Sequence, residues 1–441
     1  MEGVIDLKPR VLQRLRQIDT FPATGKVSQV VGIVMEGLST VSAVGEICEV
    51  RSTSDQDVRI LAEVVGFRGD RVLLMPLGDL AGIGPHSAII PQASQSTCIV
   101  GDDLLGRVID GMGNPLDGKG PIRSRTVRPL HAPPANPLAR NRITQPLDLG
   151  IRSINGLLTC GRGQRLGIFS GSGVGKSVLM GMMARYTEAD VSVIALIGER
   201  GREVKEFIES DLTEVGLRRS VVVVSTSDQP PLVRRRGAFL AMTIAEYFRD
   251  QSAHVLFMMD SLTRLAHAQR EIGLAVGEPP TTKGYTPSVF AMLPKFLERA
   301  GTAGNCGTIT GIFTVLVEGD DMNDPIPDAA RAILDGHVYL SRELASQSQY
   351  PAVDVLGSTS RVMISIVDSK HMAAARKLAE VMSTYKKVED MINIGAYKVG
   401  TNKKIDHAIA KWDAIGAYFK QGINEKVDLK ESVRALQRLV A

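Results

Sequence analysis

The chain has 441 residues, too many for one average domain and enough for about three. Its 44% hydrophobic and 23% charged residues are the balance of a soluble globular protein with sizeable cores. With 52 basic against 48 acidic residues the net charge is +4, which excludes a strong overall pull on nucleic acid or membrane. Cys48, Cys98, Cys160 and Cys306 stand far apart without metal-ligand spacing, so reduced thiols are expected. No apolar run of about 18 residues is present, and the N-terminus lacks an apolar signal core. A cytoplasmic protein, still free to dock at a membrane, is therefore expected.

Residues 1–24 read as an arm. Val11, Leu12, Leu15 and Ile18 recur at helical spacing after Pro9, with Arg10, Arg14 and Arg16 between them. Two readings stay open: a short helix capping the next domain, or a basic amphipathic arm for a partner or an anionic surface. Over 25–95 the pattern turns to short β-rich runs at 27–35, 42–50, 58–67 and 72–75, punctuated by glycines, which predicts a small β-barrel. No stripe of basic and aromatic residues marks it as a nucleic-acid platform, so it reads as an assembly collar. Residues 96–146 read as a linker leading into the core. They hold the turn cluster Asp110-Gly111-Met112-Gly113-Asn114-Pro115-Leu116-Asp117-Gly118 and a proline-rich crossing at 129–146.

The core is placed at 147–369. Apolar runs at 193–197, 221–224, 255–259 and 308–315, separated by helical segments, predict buried parallel strands in a doubly wound α/β sheet. Residues 370–441 turn helical and rich in Lys and Arg, a small helical domain. The Arg234-Arg235-Arg236 run reads as an interface or a solvated face.

The strongest chemical signal is Ile168-Phe169-Ser170-Gly171-Ser172-Gly173-Val174-Gly175-Lys176-Ser177. A short apolar strand precedes it and an apolar helical stretch follows, which is the context a phosphate loop requires. Gly171, Gly173 and Gly175 can turn successive N–H groups inward, with Ser172 and Val174 completing the cradle. The helix starting near Lys176 adds its positive dipole end. Lys176 would reach the β- and γ-phosphates, and the Ser177 hydroxyl would ligate Mg2+. Ser170 stands where the strict motif has Gly, a small residue for a small residue.

Two carboxylates extend the site. The apolar strand ending in Asp260 has the form of the second phosphate-loop motif, whose acid holds Mg2+, here through water. A second strand ends in Gly198-Glu199, which puts Glu199 at the carboxyl edge of the sheet. A carboxylate there could orient and polarise the attacking water; a solvated Glu in a charged loop is equally compatible with the spacing.

Gln349-Tyr350-Pro351-Ala352-Val353-Asp354-Val355-Leu356-Gly357-Ser358-Thr359-Ser360-Arg361 resembles the signature of the F-type/V-type rotary ATPase superfamily. Gly277-Glu278-Pro279-Pro280 and Gly284-Tyr285-Thr286-Pro287 agree with it. Within that superfamily, residues 153–165 and 198–209 are similar to the export ATPases of bacterial flagella and type III secretion, and Met180-Gly181-Met182-Met183-Ala184-Arg185 is nearer the flagellar branch. The resemblance implies a P-loop, RecA-like core between an N-terminal β-barrel and a C-terminal helical domain. It implies ATP and Mg2+ as substrate and cofactor, with Glu199 as the catalytic carboxylate. It also implies Arg361 as an arginine finger acting across a subunit boundary, and Tyr350 as the aromatic stacked on adenine.

As partners the resemblance implies a homohexamer and a regulatory stator-like protein at the N-terminus. Export-gate membrane proteins and chaperone–substrate complexes at the C-terminal domain complete the set, with no nucleic acid. The implied location is cytoplasmic, peripherally at the inner membrane beside the export apparatus. A virulence-type secretion ATPase, a catalytic subunit of a rotary synthase and an RNA translocase remain as alternatives.

Overall fold

The structure is a computed structural model that describes residues 24–441 apart from 40–42, 56, 305, 318, 320 and 323. The arm expected over 1–24 therefore lies, save Thr24, outside the described residues. The described residues divide into two compact units, one up to residue 96 and the other 97–441.

The first unit is a closed six-stranded barrel. Its strands are β1 (Gly25–Val31), β2 (Val34–Leu38), β3 (Glu46–Arg51), β4 (Arg59–Arg68), β5 (Arg71–Pro76) and β6 (Ala88–Gln95), in the order β1-β2-β5-β4-β3-β6. Closure removes the unpaired edges that an open sheet would expose. Val27, Met35, Cys48, Val50, Val64, Leu74 and Ile89 fill the interior. The single run expected over 27–35 is two strands. Gly32 takes φ 57 and, with Ile33, forms a two-residue turn that pairs Val31 with Val34.

The second unit is built on a parallel sheet. Along it lie β8 (Arg107–Asp110), β12 (Arg165–Ser170), β13 (Val191–Ile197), β14 (Ser220–Ser225), β15 (His254–Asp260), β17 (Thr308–Leu316), β18 (Gly336–Leu340) and β19 (Val353–Ser360). Their order is β19-β18-β12-β17-β15-β13-β14-β8, with only β19 antiparallel along this path. The short β16 (Gly301–Thr302) runs antiparallel beside β17. Two small pairs, β7 (Thr97–Val100) with β9 (Thr126–Pro129) and β10 (Pro146–Leu147) with β11 (Cys160–Gly161), complete the strands.

Strand β8 comes from the segment read as a linker, yet it extends the main sheet beside β14. It is fixed there by Asp117, which accepts from Arg107 Nε (2.7 Å) and from the Val108 backbone N–H (3.0 Å).

Every residue of β13 and β14 is buried because helices cover both faces. Val193, Ala195 and Ile197 face one core with Phe239, Phe257, Phe296 and Phe313, whereas Ile194 and Leu196 face the other with Leu179, Met180 and Met183. The first face is covered by α2 (Pro231–Asp250) and α3 (Leu262–Val276), the second by α1 (Lys176–Tyr186). The Arg234–Arg236 run on α2 is not a solvated face. Arg234 and Arg236 are buried, the first paired with Glu271 and the second donating to the Thr97 carbonyl.

The C-terminal helices α4 (Ser369–Lys386), α5 (Lys403–Phe419) and α6 (Leu429–Val440) are each started by a side-chain cap, from Asp368, Asn402 and Asp428. Tyr418 of α5 packs so closely on Gly156 that a Cβ there would lie 2.1 Å from its hydroxyl. Among the described residues no helix is long and apolar enough to cross a membrane.

Arg299 and Glu246 form an ion pair that lies fully inside. Arg299 donates to Glu246 through Nε (2.9 Å) and Nη2 (2.6 Å), with Leu130 O and Thr243 Oγ1 taking its remaining bonds. Glu246→Ala would leave a buried guanidinium uncompensated and is expected to cost about 3–5 kcal/mol. Calorimetry should show the midpoint of the core falling by about 10 °C; an unmoved midpoint would mean the pair contributes nothing net.

Candidate active site

The carboxyl ends of the parallel strands meet on one edge of the sheet: Ser170 lies in register with Leu316, and Leu196 with Asp260. Ligands of open α/β sheets bind at this edge, where the strand order reverses. Strand β12 leads out at Ser170, and the loop Gly171–Gly175 turns into α1 at Lys176. Gly173 (φ 77) and Gly175 (φ 84) take left-handed angles that a side chain would strain, and Val174 is buried as the loop's anchor in the core. The loop, Lys176 and Ser177 line a cleft of about 450 Å³ that Glu199, Arg200 and Arg264 also face.

Lys176 lies at the meeting point of the two acids. Its ammonium donates to Asp260 Oδ1 and stands 3.9 Å from Glu199 Oε1. Asp260 is buried and is held by Thr314, whose Oγ1 donates to Oδ1 at 2.8 Å. Glu199 is swung out by Gly198 (φ 73), where a Cβ would come 2.8 Å from Arg264 Cβ. Glu199 Oε1 and Ser170 Oγ are buried without a hydrogen-bond partner among the described residues. Unpartnered buried oxygens are costly unless something is built to meet them.

Burial, and then the nearby Asp260 charge, push the Glu199 carboxyl up to about 7, with Lys176 opposing the shift. In the role of catalytic carboxylate that the resemblance implies, Glu199 would work only when ionised, and kcat/KM for ATP is then expected to rise with pH through roughly pH 6 to pH 8. A profile flat over that range would separate Glu199 from the rate.

The structure thus brings Gly171, Ser172, Gly173, Val174, Gly175, Lys176, Ser177, Glu199 and Asp260 together. Tyr350 joins them from the turn before β19. A Cβ on Gly175 would touch its ring at 3.4 Å, so the half-exposed ring lies over the mouth of the loop. The Tyr350 carbonyl accepts from Gln421 N (2.9 Å), a contact made by the C-terminal segment.

Arg361 is not with them. It follows β19, which runs antiparallel to β18, so it emerges at the opposite edge, where Ser360 pairs with Gly336. That is the Arg165 end of β12, about 17 Å from Ser170 at roughly 3.3 Å per residue. Its side chain is exposed, with Nη2 donating to the Arg331 carbonyl at 3.4 Å. Arg264 and Thr314 were missed in the sequence. Arg264 lies in the first turn of α3, four residues after Asp260, a signal that the strand-then-helix pattern offered, whereas Thr314 lies inside an apolar run and gave none.

A glycine-rich loop between strand and helix, a lysine against two acids at the sheet's carboxyl edge, and a RecA-like strand order define a P-loop nucleoside triphosphatase. Residues 150–360 match the nucleotide-binding domain of the ATP synthase alpha/beta family, 27–91 its beta-barrel domain, and 367–438 the T3SS EscN ATPase C-terminal domain.

The flagellum-specific ATP synthase of Bacillus subtilis is 52% identical over 425 residues, covering 96% of this chain and 97% of that relative. The type 3 secretion system ATPase of Xanthomonas euvesicatoria is 50% identical over 397 residues, covering 90% and 89%. The assembled ATPase EscN of the enteropathogenic E. coli type III secretion system superposes with a TM-score of 0.88 at 44% identity, covering 95% of this chain and 100% of that one. EscN has also been solved in complex with its central stalk EscO. The chain belongs to the ATP synthase alpha/beta family, among the flagellum-specific and type III secretion ATPases, and is an enzyme that hydrolyses ATP.

Proposed function

We propose that this ATPase energises export of unfolded proteins through the flagellar type III apparatus, working as a homohexameric ring with a site at each subunit boundary. The observation that carries it is an intact set in which Lys176, Ser177 and Glu199 line one cleft and Asp260 pairs with Lys176, in a chain alike over 96% of its length to a flagellum-specific relative. In this reading Gly171–Gly175 and Lys176 hold the phosphates, Glu199 takes a proton from the attacking water, and Arg361 of one subunit meets the γ-phosphate held by the next.

Ser177 and Asp260 border one recess and suit Mg2+, Ser177 directly and Asp260 through water; the ion would neutralise phosphate charge. The N-terminal arm would meet a stator-like regulator and the inner membrane. The basic C-terminal domain would meet chaperone–substrate complexes and the export gate.

Deletion of the gene followed by complementation tests the assignment. The wild-type gene should restore export of flagellar subunits and Lys176→Ala should not. Virulence-type secretion is the second reading, favoured by the match of 367–438 to the EscN domain, and loss of effector secretion with motility intact would select it. Tyr350→Ala should raise KM for ATP by up to about tenfold through lost stacking, with kcat nearly unchanged. An unchanged KM would take adenine away from Tyr350.

A further inference from the structure

The backbone of the exposed arginine at the far edge of the sheet is held by Asp335, which sits in the bend before β18. The Asp335 carbonyl accepts from the Arg361 backbone N–H at 3.0 Å and from Gln164 Nε2 at 3.3 Å. Its carboxylate holds Arg165, the first residue of β12, at three points. Oδ2 accepts from the Arg165 backbone N–H and from Nε, each at 3.0 Å, and Oδ1 accepts from Nη2 at 3.0 Å. The Asp335 N–H donates back to the Arg165 carbonyl at 2.9 Å. Glu298 faces the other side of the same guanidinium. A Cβ on Gly336 would lie 2.6 Å from Thr359 O, so β18 and β19 meet with no slack beside this clamp. Gln164 Nε2 also donates to Ser360 Oγ at 3.0 Å, closing the ring of contacts around Arg361's backbone.

Bidentate guanidinium–carboxylate pairs fix direction as well as distance. Here the fixed partner is the strand that ends, at Ser170, in the phosphate loop. We infer that Asp335 is a positioning residue for Arg361, registering the arginine a subunit offers its neighbour against the strand that carries that subunit's own phosphate loop. The inference rests on the proposal that Arg361 acts in trans. Asp335 touches neither nucleotide nor water; it sets where Arg361 can reach. A nucleotide that shifts the loop and β12 would, through Arg165 and Asp335, shift the finger given to the next site.

Asp335→Asn keeps the shape but turns an amide N–H toward Arg165, loosening the clamp. Because a displacement of about 1 Å far from the chemistry can cost about a hundredfold, kcat should fall by about tenfold to a hundredfold, with KM for ATP and ring formation unchanged. The deciding measurement mixes variants. Rings of Asp335→Asn with Glu199→Gln subunits place an intact Glu199 site beside an intact Arg361 at about a quarter of boundaries, so activity should recover well above either variant alone. A purely structural injury to the Asp335→Asn subunit would stay with that subunit's own site and give no recovery.

Rings of Arg361→Ala with Glu199→Gln serve as the reference. If these recover and the Asp335→Asn mixture does not, or if Asp335→Asn keeps full kcat, Asp335 does not position the finger. If the reference itself fails to recover, the trans role of Arg361 falls first. Should Asp335→Asn not assemble, Asp335→Glu, which keeps the charge and moves it by one methylene, takes its place in the same mixture.

Discussion

Replacing Glu199 by Gln is expected to lower kcat by about 10²–10⁴-fold, the range a positioned general base supplies, while ATP binding persists. Gln keeps the volume and can still hydrogen-bond, but it cannot take a proton from water. The phosphate contacts come from the loop and Lys176, which the substitution leaves in place, so equilibrium binding of a fluorescent ATP analogue should be unchanged. Stability should move the opposite way to activity. A carboxyl whose folded value is raised to about 7 holds its proton longer in the folded than in the unfolded chain. Its contribution is therefore complete below the unfolded value and is lost as pH rises through about 7. Glu199→Gln escapes that loss, so its thermal midpoint should exceed wild type at about pH 8 and converge with it toward about pH 5. Unchanged turnover would remove Glu199 from the chemistry. A lower midpoint at high pH would contradict the electrostatic account of its burial.

Much of this site was legible because its parts are local. The strand, loop and helix of 165–186 are contiguous, and each piece announces the next. Strands buried on both faces read as unbroken apolar runs, so β13, β14, β15 and β17 could be placed almost to their ends. The readings that failed depend on partners distant in sequence. β8 is a short strand whose partner β14 lies far along the chain, and Arg107–Asp117 holds it in place. β6 (Ala88–Gln95) was not expected at all: Pro91 interrupts it, and no alternating apolar run marks it in the sequence. The Arg234–Arg236 run read as an interface or a solvated face, and the second of these is excluded. The acceptors that bury two of them, Glu271 and the Thr97 carbonyl, are invisible to local pattern. Arg361 was found by motif, but its position on the edge opposite the phosphate loop follows only from β19 running antiparallel to β18.

That opposite-edge position makes Arg361→Ala the most informative single substitution. An arginine about 17 Å along the sheet from its own loop cannot touch its own γ-phosphate, at roughly 3.3 Å per strand residue, so any catalytic role requires a neighbour. The expected result is a fall in kcat of about 10³–10⁵-fold, the range measured for trans arginines in phosphoryl transfer, with rings still forming. Arg361 is exposed, and its side chain donates to the Arg331 carbonyl, so its removal should leave the thermal midpoint within about 1 °C of wild type. For the unaltered chain the same geometry predicts that specific activity climbs with protein concentration as rings assemble. An isolated subunit has the loop, Lys176 and Glu199 but no arginine facing its cleft from outside. Measuring turnover and mass together across a dilution series checks this directly. Activity that stays constant from ring to monomer would mean that each cleft is complete by itself and that Arg361 serves assembly alone. Loss of activity in Arg361→Ala together with loss of rings would point the same way. Intact rings without turnover, restored by mixing with Glu199→Gln subunits, would leave shared sites as the explanation.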